Sequence, residues 1–220
     1  MISARDKFYL FFEEIIMKDF PKVGLLAKDK SRFMKILGSV IAVFNKEFMK
    51  QYVTVLRNTI YFPSKQWLEA DYERAFGILA HEYVHMVDRK QKPPFIFELQ
   101  YIFPQVLSVF GLLSFLFMIH PLFGLFSLFF LALFPLPSPW RLKYEINGYA
   151  MNAWINSRIG GFNLEKFSMH VAELLSGSEY YYPAYSVFLV QEQFVREYAH
   201  LPIEHPAFQK VKQWLDQLEK

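Results

Sequence analysis

An α+β fold, mainly helical, is what this chain predicts, and three observations carry the expectation. Apolar residues recur at three- and four-residue spacing over most of the 220 residues, and Tyr52 to Phe62 alternates instead. From Leu99 to Trp140 there is no Asp, Glu, Lys or Arg. The length suits one domain, 1–220, with no internal repeat or low-complexity linker to mark a second.

Met1 to Phe20 reads as an amphipathic helix, because Asp6, Lys7, Glu13 and Glu14 interrupt its apolar residues; those charges also argue against a signal peptide. A second helix is expected from Ser31 to Lys50, with Phe33, Ile36, Leu37, Val40, Ile41, Val43 and Phe44 as a broad apolar face. Tyr52 to Phe62 supplies one or two strands turning at Arg57-Asn58. Trp67 to Ala80 is helical, with Ser64 or Asp71 near its start, and runs on through residues 81–85. The loop Pro135 to Pro139 introduces a helix from Trp140 to Ile159. Further helices fall near Leu164 to Leu175, Ala184 to Tyr198 and His205 to Leu218, the last two separated by Pro202 and Pro206.

The uncharged stretch needs a special home. His120-Pro121 divides it into Gln105 to Ile119 and Leu122 to Phe134, so it reads as an apolar helical hairpin inserted at about 102–136. Each half is somewhat short of the ~20 residues that span a bilayer. Arg89, Lys90 and Lys92 precede it and Arg141 and Lys143 follow it, which agrees with entry into a membrane from the cytoplasmic side. The expected location is therefore membrane-associated with the site on the cytoplasmic side. The alternative is a soluble chain or a virion component, with the hairpin covered by a hydrophobic protein partner. At 53% hydrophobic and 19% aromatic, the composition is high for a soluble monomer. The net charge of +3 is spread among acidic residues, with no basic stripe to follow phosphates, so nucleic-acid binding is not expected. With no cysteine, disulfides and thiolate ligands are excluded.

The chemistry-bearing motif is His81-Glu82-Tyr83-Val84-His85. On a helix, positions i and i+4 share a face, so both imidazoles can reach one metal ion while Glu82 serves as general base. Ile78, Leu79, Val84, Met86 and Val87 surround the histidines with apolar side chains that bury the helix. The competing reading is a pair of core histidines with an ion-paired glutamate. Catalytic zinc takes three protein ligands and leaves a fourth position open. Glu145 is the chosen third ligand, ahead of Glu98, Glu173, Glu179, His120 and His170. Asp88, three residues after His85, could accept the imidazole N–H that faces away from the metal, or else form a surface ion pair with Arg89 or Lys92.

These residues resemble the zincin metallopeptidases, and in particular the gluzincin arrangement, in which a two-histidine motif is completed by a glutamate on a later helix. The match rests on His81, Glu82 and His85 and on Glu145 within Lys143-Tyr144-Glu145-Ile146-Asn147-Gly148-Tyr149-Ala150. It covers about Tyr52 to Ile159. The resemblance implies a zincin-like core with a small antiparallel sheet, a Zn2+ ion, and hydrolysis of a peptide or protein substrate. It also implies that Asn58 to Pro63 is the edge strand that pairs with extended substrate. Many gluzincins place an aspartate four residues after the ligand glutamate, where this chain has Tyr149. The block from Thr59 to Pro63, His-Glu and Pro139 to Glu145 is also similar to zincin-like proteins of tailed phages.

In the implied mechanism, zinc lowers the pKa of water, and Glu82 takes a proton and later delivers it to the leaving amine. Oxyanion donors could be Tyr149, Tyr180, Tyr181, Tyr182, His170, His200 or His205. Two other classes compete with the peptidase: a structural or interaction protein in which the metal is a staple, and a metal-free relic.

Overall fold

The fold is known from a computed structural model that describes residues 2–42, 46–93, 95–134, 136–158, 162–177, 180, 183–184 and 186–218, the side chain of Val40 excepted. Val43, Phe44, Pro135, Ile159, Glu179, Tyr181 and Tyr182, which figure in the sequence reading, lie outside those residues. Helices dominate, with one small three-stranded mixed sheet. The chain forms two compact units, Met1–Val84 with His205–Lys220, and His85–Glu204.

Helix α1, Ala4–Phe11, starts at Ser3, whose hydroxyl oxygen accepts the N–H of Asp6 at 3.1 Å. It continues through a π-type turn, Phe12–Ile16, into α2, Met17–Asp19. The wider turn lets Phe12 join Phe8, Phe11, Ile15 and Ile16 on the buried side, while Asp6 and Glu13 stay exposed. After β1, Gly24–Ala27, comes α3, Arg32–Ile41, opened by Ser31. It is shorter than the expected helix, and its apolar face is only partly covered: Met34 is buried, yet Phe33 and Ile36 are exposed.

Strands β2, Thr54–Leu56, and β3, Thr59–Phe62, form the expected hairpin, with Leu56 opposite Thr59 and the turn at Arg57-Asn58. Arg57 takes a φ of 52°, left-handed and uncommon outside glycine. The strand order is β1-β3-β2, with β1 parallel and β2 antiparallel to β3. This corrects two expectations: the sheet is mixed, and Asn58 to Pro63 supplies its central strand. The four residues of β1 are too few to alternate visibly. Once paired, they occupy the side of β3 that a substrate strand would need.

Helix α4, Lys65–Ala70, and helix α5, Tyr72–Lys90, divide what the periodicity reads as one. Each of the two proposed starting residues serves: Ser64 accepts the N–H of Trp67 at 3.1 Å, and Asp71 that of Arg74 at 2.9 Å. Leu79, Val84, Met86 and Val87 are buried as expected, with Ile78 half-buried.

The second unit holds the end of α5, then α6, Ile96–Tyr101, two 3₁₀ segments, Gln105–Met118 and Pro121–Leu133, and α7, Pro139–Ser157. Helices α8, Leu164–Leu175, and α9, Val187–Glu204, complete it, with Pro202 inside the last turn of α9 and not beyond its end. Helix α7 packs against α6, α8 and α9, which buries Leu142 and the whole run Tyr144–Gly148. Pro139 stands in its first turn, where a missing N–H costs nothing.

The apolar hairpin turns where expected, with the N–H of Leu122 donating to Nδ1 of His120 at 3.3 Å. Three residues per turn line up Phe123, Phe126 and Phe129, whose ring centroids are 6.0 and 5.9 Å apart. The segments meet through Phe110 and Phe129, 5.6 Å apart, and through Phe130 lying over Gly111. Their outer side chains are exposed, Phe115 at 74% and Met118 at 83%. No helix among the described residues is long and apolar enough to cross a membrane. That finding overturns the membrane location with a cytoplasmic-side site, because the apolar run is broken into pieces of 14 and 13 residues.

The final helix, α10, Pro206–Leu218, belongs to the first unit. Trp214 packs on Phe11 and Phe76, and its indole N–H donates to Glu14 at 2.8 Å. Asp19 accepts from the Tyr83 hydroxyl at 2.5 Å and pairs with Lys210.

Candidate metal centre

Two helices present the candidate ligands. His81 and His85 lie one turn apart on α5, which is continuous from Tyr72 to Lys90, and Glu145 lies on α7. One ligand atom from each falls within 4.8 Å of the other two. His81 and Glu145 are buried and His85 is half-buried. Donors about 2.1 Å from a tetrahedral metal lie about 3.4 Å apart, so closing on an ion requires side-chain adjustments of about an ångström.

Tyr101, at the end of α6, donates its hydroxyl to Oε1 of Glu145 in a short hydrogen bond, and its ring stands edge-on to His85 with centroids 6.2 Å apart. One tyrosine thereby orients both a carboxylate and an imidazole. Asp88 is buried, and its Oδ2 accepts from Nδ2 of Asn147 at 3.3 Å, tying α5 to α7 two residues beyond Glu145. The Tyr149 hydroxyl lies 2.5 Å from that of Tyr180. Tyr180 titrates well above the ordinary tyrosine range, because burial penalises its anion and the Glu145 carboxylate and Tyr149 add to the effect. It stays protonated at neutral pH, and either hydroxyl of the pair can be the donor. Tyr144, raised to about 12 by burial and then by Asp88, is likewise neutral and donates to Gln100 at 2.5 Å.

Glu82 is half-exposed and sits in the field of Lys28. That lysine is fully buried, donates to the carbonyl of Phe48 at 2.7 Å and lies 3.7 Å from the centroid of the Phe48 ring. Burial lowers its pKa from 10.5 to about 8, with the Glu82 carboxylate opposing the change.

The competing ligands go elsewhere. Glu98 pairs with Arg89 at 2.6 Å, and Glu173, His120 and His170 are exposed. Among the oxyanion candidates, His200 is exposed, while buried His205 accepts the N–H of Ala207 at the start of α10. Sequence reasoning missed Lys28, Tyr101 and Asn147. Lys28 and Tyr101 stand in short elements without periodicity. Asn147 had a weak signal, a polar residue between Ile146 and Gly148 and two positions after Glu145.

The chain matches no protein-family model, and comparison with curated proteins and with solved structures finds no match either.

Proposed function

We propose that this chain is a zinc-dependent metallopeptidase of gluzincin-like design, with His81, His85 and Glu145 as ligands and Glu82 as general base. The observation that carries the reading is the convergence of those three side chains from α5 and α7 to within 4.8 Å. The donor set fits the ion: two imidazoles and one carboxylate, with no thiolate, suit zinc in a catalytic setting, and the group offers three ligands among the described residues, leaving a position for substrate. Zinc, when bound there, supplies a Lewis acid that activates water and polarises a carbonyl.

The residues of the chain divide the remaining work. Glu82, next to His81 in sequence, accepts the proton of the attacking water and returns it to the leaving amine. Tyr101 would orient the Glu145 carboxylate through its hydrogen bond to Oε1. Tyr149, one turn after Glu145, is the candidate donor to the developing oxyanion, with Tyr180 holding its hydroxyl. The exposed side chains of Phe115, Met118 and Leu122 support a hydrophobic protein partner at the hairpin.

Metal content measured by mass spectrometry on the purified protein tests the proposal. About one zinc per chain is expected, lost in both His85→Ala and Glu145→Ala. Glu82→Gln should keep the metal and lose hydrolysis. Wild type that takes up no zinc even when it is supplied sinks the reading, and zinc held without turnover by wild type favours a structural staple instead.

A further inference from the structure

Arg141 stands in the first turn of α7, four residues before Glu145 and so on the same helical face. Its guanidinium lies 5.3 Å from the centroid of the Tyr101 ring and 6.0 Å from that of Tyr180. Tyr101 is the residue whose hydroxyl holds Glu145, so the cation sits one ring away from the proposed metal ligand. Its Nε is buried and carries no hydrogen bond. A guanidinium has five N–H groups in a planar fork; Arg141 is half-buried, and its buried Nε–H without an acceptor costs desolvation that a bound anion would recover. The rings of Tyr101 and Tyr180 flank it at cation–π distance, and its Nε–H has no acceptor.

We propose that Arg141 is a binding residue for a carboxylate of the substrate peptide, close to the bond that is cut. This rests on the metallopeptidase reading and names its substrate class. A planar monoanion matches one planar fork in a bidentate pair. A phosphate dianion does not, because this cluster offers a single cation and places the Glu145 carboxylate one helical turn away. The carboxylate has two sources, the terminal group of a peptide or an Asp or Glu side chain within it, and the experiment separates them.

Zinc-loaded full-length Glu82→Gln would be titrated calorimetrically with three peptides of one sequence: a free terminal acid, its amide, and the amide with one internal glutamate. At least one carboxylate-bearing peptide is expected to bind about tenfold or more tighter than the plain amide. That ratio should fall towards one when Arg141→Met is added and be partly kept with Arg141→Lys, in proteins whose zinc content and melting temperature match the parent. Should Arg141→Met fail to fold, Arg141→Gln and the lysine variant carry the same comparison. Equal binding of all three peptides, a ratio unmoved by the Arg141 changes, or no binding at all would overturn the assignment. Hydrolysis by wild type without acid preference would remove Arg141 and leave the peptidase standing. Acid-selective binding with no hydrolysis by wild type would do the reverse.

Discussion

The N-terminal helical run and the apolar hairpin are both rich in Phe and aliphatic residues, yet one is buried and the other is not. In Ala4–Ile16, Asp6 and Glu13 face out and give the helix a direction, so Phe8, Phe11, Phe12, Ile15 and Ile16 all turn inward. In Gln105–Leu133 no charge marks an outside. Phe110 and Phe129 meet across the two segments yet stay exposed themselves, Phe130 lies over Gly111, and Phe115, Met118 and Leu122 are more exposed still. Hydrophobicity supplies the energy of burial, but polar residues decide what gets buried.

The strongest way to break this comparison is to truncate one ring in each region. Phe11→Ala, which strips contacts to Phe76, Tyr83 and Trp214, should cost about 3–5 kcal/mol in chemical denaturation, and Phe115→Ala should stay within about 0.5 kcal/mol. A large loss at Phe115 would mean that the hairpin is already covered in solution.

Charge sharpens the contrast, because the first unit buries Lys28 and the hairpin has no charged residue to titrate. The folded pKa of Lys28 is about 8 against an ordinary 10.5. Below pH 8 both states carry the proton and the burial penalty is full. Between the two values the unfolded chain holds more proton, so stability rises with pH. Relative to Lys28→Met, wild type should gain about 3 kcal/mol from pH 7 to 10.5, read from urea midpoints across pH. A constant difference would place the ammonium in water.

Two glycines test the hairpin by itself. A methyl group on Gly111 would lie 2.7 Å from the Phe130 ring, whereas nothing lies within 4 Å of one on Gly124. Gly111→Ala should destabilise the hairpin by about 1–3 kcal/mol and Gly124→Ala should not, with local amide exchange as the readout. The smallest effect belongs to the polar turn between β2 and β3, where Arg57→Gly should relieve about 0.5–1 kcal/mol of left-handed strain, seen as a raised Tm.

The same physics sets what was legible in the sequence. Helix α8 and the start of α10 follow their periodicity to within a residue, and the caps at Ser64 and Asp71 were readable because short polar side chains at helix starts have one dominant use. That His81 and His85 share a helical face was readable from i and i+4 spacing, whereas nothing in that spacing brings in Glu145, chosen from several carboxylates and histidines and found with ligand atoms within 4.8 Å of theirs. Strand β1 was not, since pairing across more than thirty residues, Gly24 with Thr59, is invisible in a four-residue window. Nor were Tyr101 and Lys28, whose roles arise from what folds against them.

Glu14 and Trp214 meet across 200 residues of chain. Contacts of such sequence separation form only after a large loop has closed, and closure is slow even where it is cheap in free energy. Refolding should therefore leave Phe11 and Phe76, on which Trp214 packs, open to solvent for as long as α10 is undocked. The hazard in that interval is association between incomplete molecules, which makes protein concentration, more than denaturant or temperature, the variable that decides the yield of native chain.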